Sequence, residues 1–256
     1  MLKKFTTNFL TILFIFTLNV YASKEDILDQ KLINSYPNFL KSYKNNQIIW
    51  YDRFAQSFDD KAQNKTFEEL LNNSSLKDHF KDKYVSVLNN ENYIPKLNED
   101  PGRYRNQIFF EKMYGKTKEE ITNNLIEIKW MPKSTNKTIW VSKINDIDKK
   151  FIAISKEFDE LPNELKKYVN NPSGGFNYRK IANTNRLSTH SFGISIDINV
   201  ENSHYWLWDK KKNNFTYKNS IPLKIVKIFE KYGFIWGGRW YHYDTMHFEY
   251  RPELLK

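Results

Sequence analysis

Residues 174–199 read GGFNYRKIANTNRLSTHSFGISIDIN, and the stretch 188–199 within them decides the fold. Ile194, Ile196 and Ile198 alternate with Ser195, Asp197 and Asn199, a period of two that predicts a half-buried strand with one apolar face. The polar face is either solvent or a site. Gly193, just before, lets the chain bend or lets another backbone approach closely, so His190 can fold back beside Asp197. Downstream, Phe234 to Trp236 and Tyr243 to Tyr250 read as strands around a Gly237-Gly238 turn. Between them Ser220-Ile221-Pro222 opens a helix carrying Leu223, Ile225, Val226, Ile228 and Phe229, with Gly233 placed to cap it.

Upstream, Leu125 to Trp130 alternates apolar and charged residues and predicts a strand ended by Pro132, with a second at Ile139-Trp140-Val141. Asp146 is placed to cap a helix whose face is Ile147, Phe151, Ile154 and Phe158, stopped by Pro162; residues 163–169 form a further short helix and 172–175 a turn. Thr66 to Glu69 and Thr117 to Glu120 are capping boxes. Asp26 to Tyr43 has helical apolar spacing broken at Pro37. Helices and strands are interspersed, so the class is α+β: a small mixed or antiparallel sheet flanked by helices and carrying the site, with a mainly helical N-terminal extension. The expected division is residues 1–22 as an address, 23–120 as the extension and 121–256 as the site-bearing domain.

Composition narrows the function. The chain has 256 residues with 40 Lys+Arg against 30 Asp+Glu, a net charge of +10 and no cysteine. Disulfide scaffolds, thiol catalysis and Cys-ligated zinc are excluded. Any metal chemistry must use carboxylates and the five histidines. The positive charge suits an anionic partner, but no basic helix or aromatic-interleaved basic stripe argues for nucleic acid. Lys3 and Lys4, the apolar run from Phe9 to Val20 and Val20-Tyr21-Ala22 read as a cleavable export signal. That run is too short to span a bilayer, so the expected product is exported, periplasmic or wall-associated, with no integral membrane segment after cleavage.

The chemistry concentrates in 188–197 and in Asp244-Thr245-Met246-His247-Phe248-Glu249. His190 and Asp197, completed by a third ligand from a distant strand, make a His/Asp/His tripod that suits Zn²⁺ with an open position for water. A nearby carboxylate that is not a ligand would take the proton. On a regular strand His247 shares a face with Glu249 while Asp244 points away, so a bend before Thr245 is needed to bring Asp244 to the metal. Arg179 and Arg186 precede the motif, and either suits an oxyanion or a substrate carboxylate. Ser188 is placed to hydrogen-bond near His190. Tyr178, Trp236, Trp240 and Tyr243 either wall a groove or pack as core. His204 and His242 read as incidental. Arg103 and Arg105 either bind an anion or stitch the N-terminal region to the core.

The pattern SxHxxGxSxD at 188–197, followed by DxxH at 244–247, resembles the M15 zinc peptidases of cell-wall metabolism. Their first motif usually has alanine where this chain has Ser195. The stretches 174–199 and 236–249 resemble that family's core, and DPGRYRNQIFFEKMYG at 100–115 the upstream region of a bacterial subgroup. The resemblance implies one zinc ion on His190, Asp197 and His247, Asp244 as general base, and Arg179 as the cation that assists substrate or intermediate. Glu249 is the fallback base or a partner that orients a histidine. The implied activity is cleavage of peptidoglycan stem peptides, as a D,D-carboxypeptidase removing terminal D-alanine. An L-alanyl-D-glutamate type endopeptidase and a non-catalytic wall-binding protein are the alternatives.

Overall fold

The computed structural model describes residues 24–182, 184–210 and 215–255. The export signal expected at 1–22 lies outside them. The chain runs from helix α1 (Lys24–Ser35) into an antiparallel sheet of β1 (Leu40–Lys44), β2 (Gln47–Trp50) and β3 (Ala55–Ser57). Three short helices follow, α2 (Phe67–Asn72), α3 (Gln107–Tyr114) and α4 (Lys118–Thr122). The hairpin of β4 (Leu125–Trp130) and β5 (Lys137–Ser142) leads to α5 (Ile147–Asp159) and α6 (Asn163–Lys166). The last part is β6 (Ser195–Asp197), α7 (Trp206–Asp209), α8 (Leu223–Lys231), β7 (Phe234–Trp236) and β8 (His247–Tyr250). Its strands form an antiparallel sheet in the order β6-β8-β7. The architecture is α+β, and among the described residues no helix is long and apolar enough to cross a membrane.

Local sequence explains most of these elements. The α5 face Ile147, Phe151, Ile154 and Phe158 is fully buried, each side chain adding ~1.5–3 kcal/mol of apolar burial. Thr66 and Glu69 form the reciprocal capping box that starts α2. Thr117 accepts from the Glu120 N–H, but the Glu120 carboxylate accepts from Lys116 rather than from the cap backbone.

Three expectations are corrected. Asp146 does not cap α5; it sits in the left-handed region at φ 55° and its carboxylate pairs with Lys149 at 2.7 Å. The helical spacing over 26–43 stops at Ser35, and Leu40 and Tyr43 belong to β1. The signal for that hairpin is Asn45-Asn46: both have positive φ, 50° and 62°, as a two-residue turn between paired strands requires. This sheet adds strand to the helices expected in the N-terminal region. The strand expected over 243–250 begins only at His247, because the Asp244 carbonyl accepts from the His247 N–H at 3.2 Å and closes a turn.

One continuous core runs from Leu32 and Tyr36 through Phe109, Phe110 and Phe151 to Phe248 and Tyr250. The β6–β8 register faces Ile196 with Phe248, and Phe248 stacks on Phe229 with ring centroids 3.8 Å apart. The same register places Asp197 directly opposite His247 and Ser195 opposite Glu249. Directly opposite residues share a face, so one side of this small sheet is core and the other is the polar site.

Gly193 fixes the bend before β6. Its φ is +66°, its carbonyl accepts from the Ser142 N–H at 2.9 Å, and a Cβ would lie 2.6 Å from Leu125 Cδ2. The bend and the close approach read from the sequence therefore occur together. Gly193→Ala is expected to destabilise the protein by roughly 1–3 kcal/mol, from backbone strain plus the displaced Leu125. A thermal melt of the variant showing no loss would contradict this packing.

Candidate metal centre

His190 lies on a single 3-10 turn, Thr189–Phe192, started by Ser188, whose hydroxyl accepts from the His190 N–H at 3.4 Å. The Ser191 hydroxyl anchors this turn to the segment before it, donating to the Arg179 carbonyl at 2.7 Å. Asp197 ends β6 and His247 starts β8. Their facing atoms converge: His190 Nε2 lies 3.2 Å and His247 Nδ1 3.0 Å from Asp197 Oδ1, and the two nitrogens lie 3.2 Å apart. One ligand atom from each residue falls within 4.8 Å of the others, and the group could hold a metal ion.

The rest of each ring is committed elsewhere. His190 Nδ1 donates to the Gly175 carbonyl at 2.8 Å, leaving Nε2 free to ligate. His247 Nε2 meets Glu249 Oε2 at 3.1 Å, leaving Nδ1. A hydrogen bond at the far nitrogen fixes the tautomer and orients a ligating imidazole. Glu249 is thus the partner that orients a histidine, one of its two expected roles. Behind it, Arg105 lies 3.5 Å and Arg251 3.2 Å from its carboxylate; Arg251 also pairs with Glu253 at 2.6 Å, and Glu253 accepts from the Tyr36 hydroxyl at 2.7 Å. Tyr36, Glu249, Arg251 and Glu253 are all fully buried.

The electrostatics follow from this packing. Burial acts to lower the His247 pKa, but its hydrogen bonds to Asp197 and Glu249 outweigh burial and raise it to about 10. Burial acts to raise Glu249, yet His247 and Arg105 hold it down at about 2. Asp197 is likewise held well below the carboxylate range against its burial, by His190 and His247. Asp244 goes the other way: burial, helped by the Asp197 charge, lifts it to about 6.

Asp244 sits in the turn before β8, bridged to Tyr205, with its N–H on the Gly237 carbonyl at 3.0 Å. Its Oδ1 is buried without a hydrogen-bond partner. The bend the sequence required is present, and Asp244 and the three ligands line one cleft of about 320 Å³. Buried polar atoms are normally satisfied, so this orphan acceptor fits a group that arrives with a metal or a substrate. Two imidazole nitrogens and a carboxylate are a donor set suited to zinc.

Arg179, Arg186 and Ser188 line the same cleft, Arg179 exposed at its mouth and Arg186 buried. Arg103 and Arg105 reach it from the N-terminal region. Sequence reading left those two undecided; Arg105 stitches to Glu249, while Arg103 lies over the Trp240 ring, 4.5 Å from its centroid. Of the aromatics named as groove walls, Trp240 lines the cleft, Trp236 and Tyr243 are core, and Tyr178 is exposed away from it. Tyr205 lines it without any sequence signal. His242 is not incidental: its Nδ1 contacts Asp100 Oδ2 at 2.6 Å and its carbonyl accepts from Arg103 at 2.7 Å.

Residues 182–250 match the M15 peptidase family model described as D-alanyl-D-alanine carboxypeptidase. No curated protein and no solved structure matches the chain.

Two outcomes are expected from the geometry. Because His247 carries a proton that a metal must displace, zinc affinity should rise with pH, about tenfold per unit between pH 7 and 9. Titration in weakly buffered solution should release that proton, and a pH-independent affinity would contradict the pairing. Glu249→Gln should weaken zinc binding about 10- to 100-fold, measured against a competing chelator.

Proposed function

We propose, from the match of residues 182–250 to the M15 peptidase family model, that the chain is an exported, zinc-dependent peptidase acting on peptidoglycan stem peptides, as a D,D-carboxypeptidase that removes terminal D-alanine. The observation that carries this reading is the convergence of His190, Asp197 and His247 in one cleft with Asp244 and Arg179. The N-terminal signal read from the sequence supports export to the periplasm or cell wall.

His190 Nε2, Asp197 Oδ1 and His247 Nδ1 would hold the ion. When bound there, the ion would supply Lewis acidity and lower the pKa of a bound water toward neutrality. Asp244 accepts a proton at its carboxylate and passes it to the leaving amine. A carboxyl lifted to about 6 is matched to that exchange. Its unpartnered Oδ1 is the available acceptor. Arg179, exposed at the cleft mouth, meets the C-terminal carboxylate or the charge that develops on the carbonyl oxygen. Ser188 holds the His190 turn, and Glu249 keeps the His247 ring in register.

One observation favours a second reading. Thr184 and Arg186 also line an adjoining polar cavity of about 500 Å³ with Asn72, Asn73 and Asn185. A cleft continued past Arg186 suits a longer peptide and an endopeptidase cut within the stem.

The test is metal content together with cleavage of purified muropeptides, read by mass spectrometry, for wild type and Asp244→Ala. The expected result is stoichiometric zinc in both proteins, loss of one D-alanine with wild type, and a rate at least 10²-fold lower with the variant. Release of a larger fragment would select the endopeptidase. Folded protein with no metal and no product would leave a non-catalytic wall-binding protein.

A further inference from the structure

The cleft holds more positive charge than its own carboxylates use. Arg105 is paired with Glu249. Arg186 and Arg103 have no carboxylate within 4 Å among the described residues, although Arg186 is only 8% exposed. Arg186 Nη1 donates to the Arg103 carbonyl at 3.3 Å, and Arg103 Nη2 to the His242 carbonyl at 2.7 Å. The Nε of each is buried without a partner. Arg239 and Arg251 each leave one guanidinium nitrogen unpartnered as well, but Arg251 has Glu249 and Glu253, Arg239 is capped by the carbonyls of Tyr93 and Asn90, and neither lines this cleft. Burial, reinforced by the neighbouring Arg103, lowers the Arg186 pKa to about 10. A buried guanidinium beside a second, half-buried one is costly unless an anion completes the pair.

Their geometry is preorganised. Arg103 lies over the Trp240 ring, and the Trp240 Nε1–H donates to the Pro101 carbonyl at 2.6 Å. Arg186 stands where the metal cleft meets the adjoining polar cavity. Planar guanidiniums fixed in this way match a carboxylate through two parallel hydrogen bonds.

We propose that Arg186 and Arg103 form a carboxylate subsite, so that the substrate is an acidic peptide bearing a second free carboxylate besides its C-terminal one. The proposal rests on the peptidase reading above and narrows its substrate. Arg179 at the mouth serves the terminal group or the reacting carbonyl. The Arg186–Arg103 pair serves a carboxylate on a residue further along the peptide, toward the adjoining cavity. Stem peptides differ in this respect, because the carboxylates of their D-glutamyl and diamino-acid residues are free in some walls and amidated in others.

The test uses the full zinc-loaded protein and pairs of peptides identical except that the D-glutamyl α-carboxylate, or the diamino-acid carboxylate, is free or amidated. Binding is read by calorimetry and cleavage by KM and kcat separately. Wild type should bind one free acid about 10- to 100-fold more tightly than its amide, with the difference in KM. Arg186→Gln and Arg103→Gln should bring that ratio close to one, and Arg186→Lys should restore part of it. Circular dichroism and zinc content identify variants that fail to fold, and the remaining variant then decides. Equal binding of acid and amide by wild type in both pairs, or an unchanged ratio in the folded glutamine variants, overturns the subsite. Absence of cleavage with a retained acid preference would remove the peptidase reading and leave the subsite standing.

Discussion

The ion pair between Glu249 and its two arginines supports the rest of the site. A buried carboxylate is unfavourable alone, and the hydrogen bond from His247 together with Arg105 and Arg251 keeps it ionised under complete burial. Ionised, it accepts from His247 Nε2 and turns the other ring nitrogen toward Asp197 and His190. The β6–β8 register then does the remainder, because pairing Asp197 with His247 brings two ligands from residues 50 apart into contact. The three facing atoms meet through the register, and the orientation of His247 is carried by charges that are not among those three.

The cleft separates two carboxylates by environment. Asp197 faces two imidazoles and stays ionised, while Asp244, buried with an unpartnered oxygen, is lifted toward neutrality. Groups of one type with pKa values pushed apart in one site divide the work of ligand and proton carrier. Four arginines, from exposed Arg179 to buried Arg186, line the cleft together with its three carboxylates.

Much of this was legible in the sequence, and the limits have physical causes. The convergence of His190, Asp197 and His247 was legible because the motif pattern and its resemblance to a known family put those residue types at fixed spacing. Strands β4, β5 and β7 and helices α5 and α8 were readable from periodicity. The start of β8 was not, because His247 to Tyr250 is buried on both faces and shows no alternation. Phe39, Leu40 and Tyr43 happen to fit a helical spacing, and Asn45-Asn46 was the stronger signal for a hairpin. Arg103 and Arg105 resisted assignment, and Arg251 gave no signal, because their roles depend on partners that only tertiary packing brings near. Local pattern cannot show that Arg103 would lie on Trp240 or that His242 would meet Asp100.

The hydrogen bond from Tyr36 to Glu253 joins residues 217 apart in sequence. With Gly102 accepting from Arg251 at 2.6 Å, it knits the beginning, middle and end of the described chain behind one imidazole. Contacts of such long sequence separation form late and slowly during folding. The orientation of His247 is therefore a late product of folding: it waits on the docking of residues 249–253, which closes some of the longest loops in the described chain.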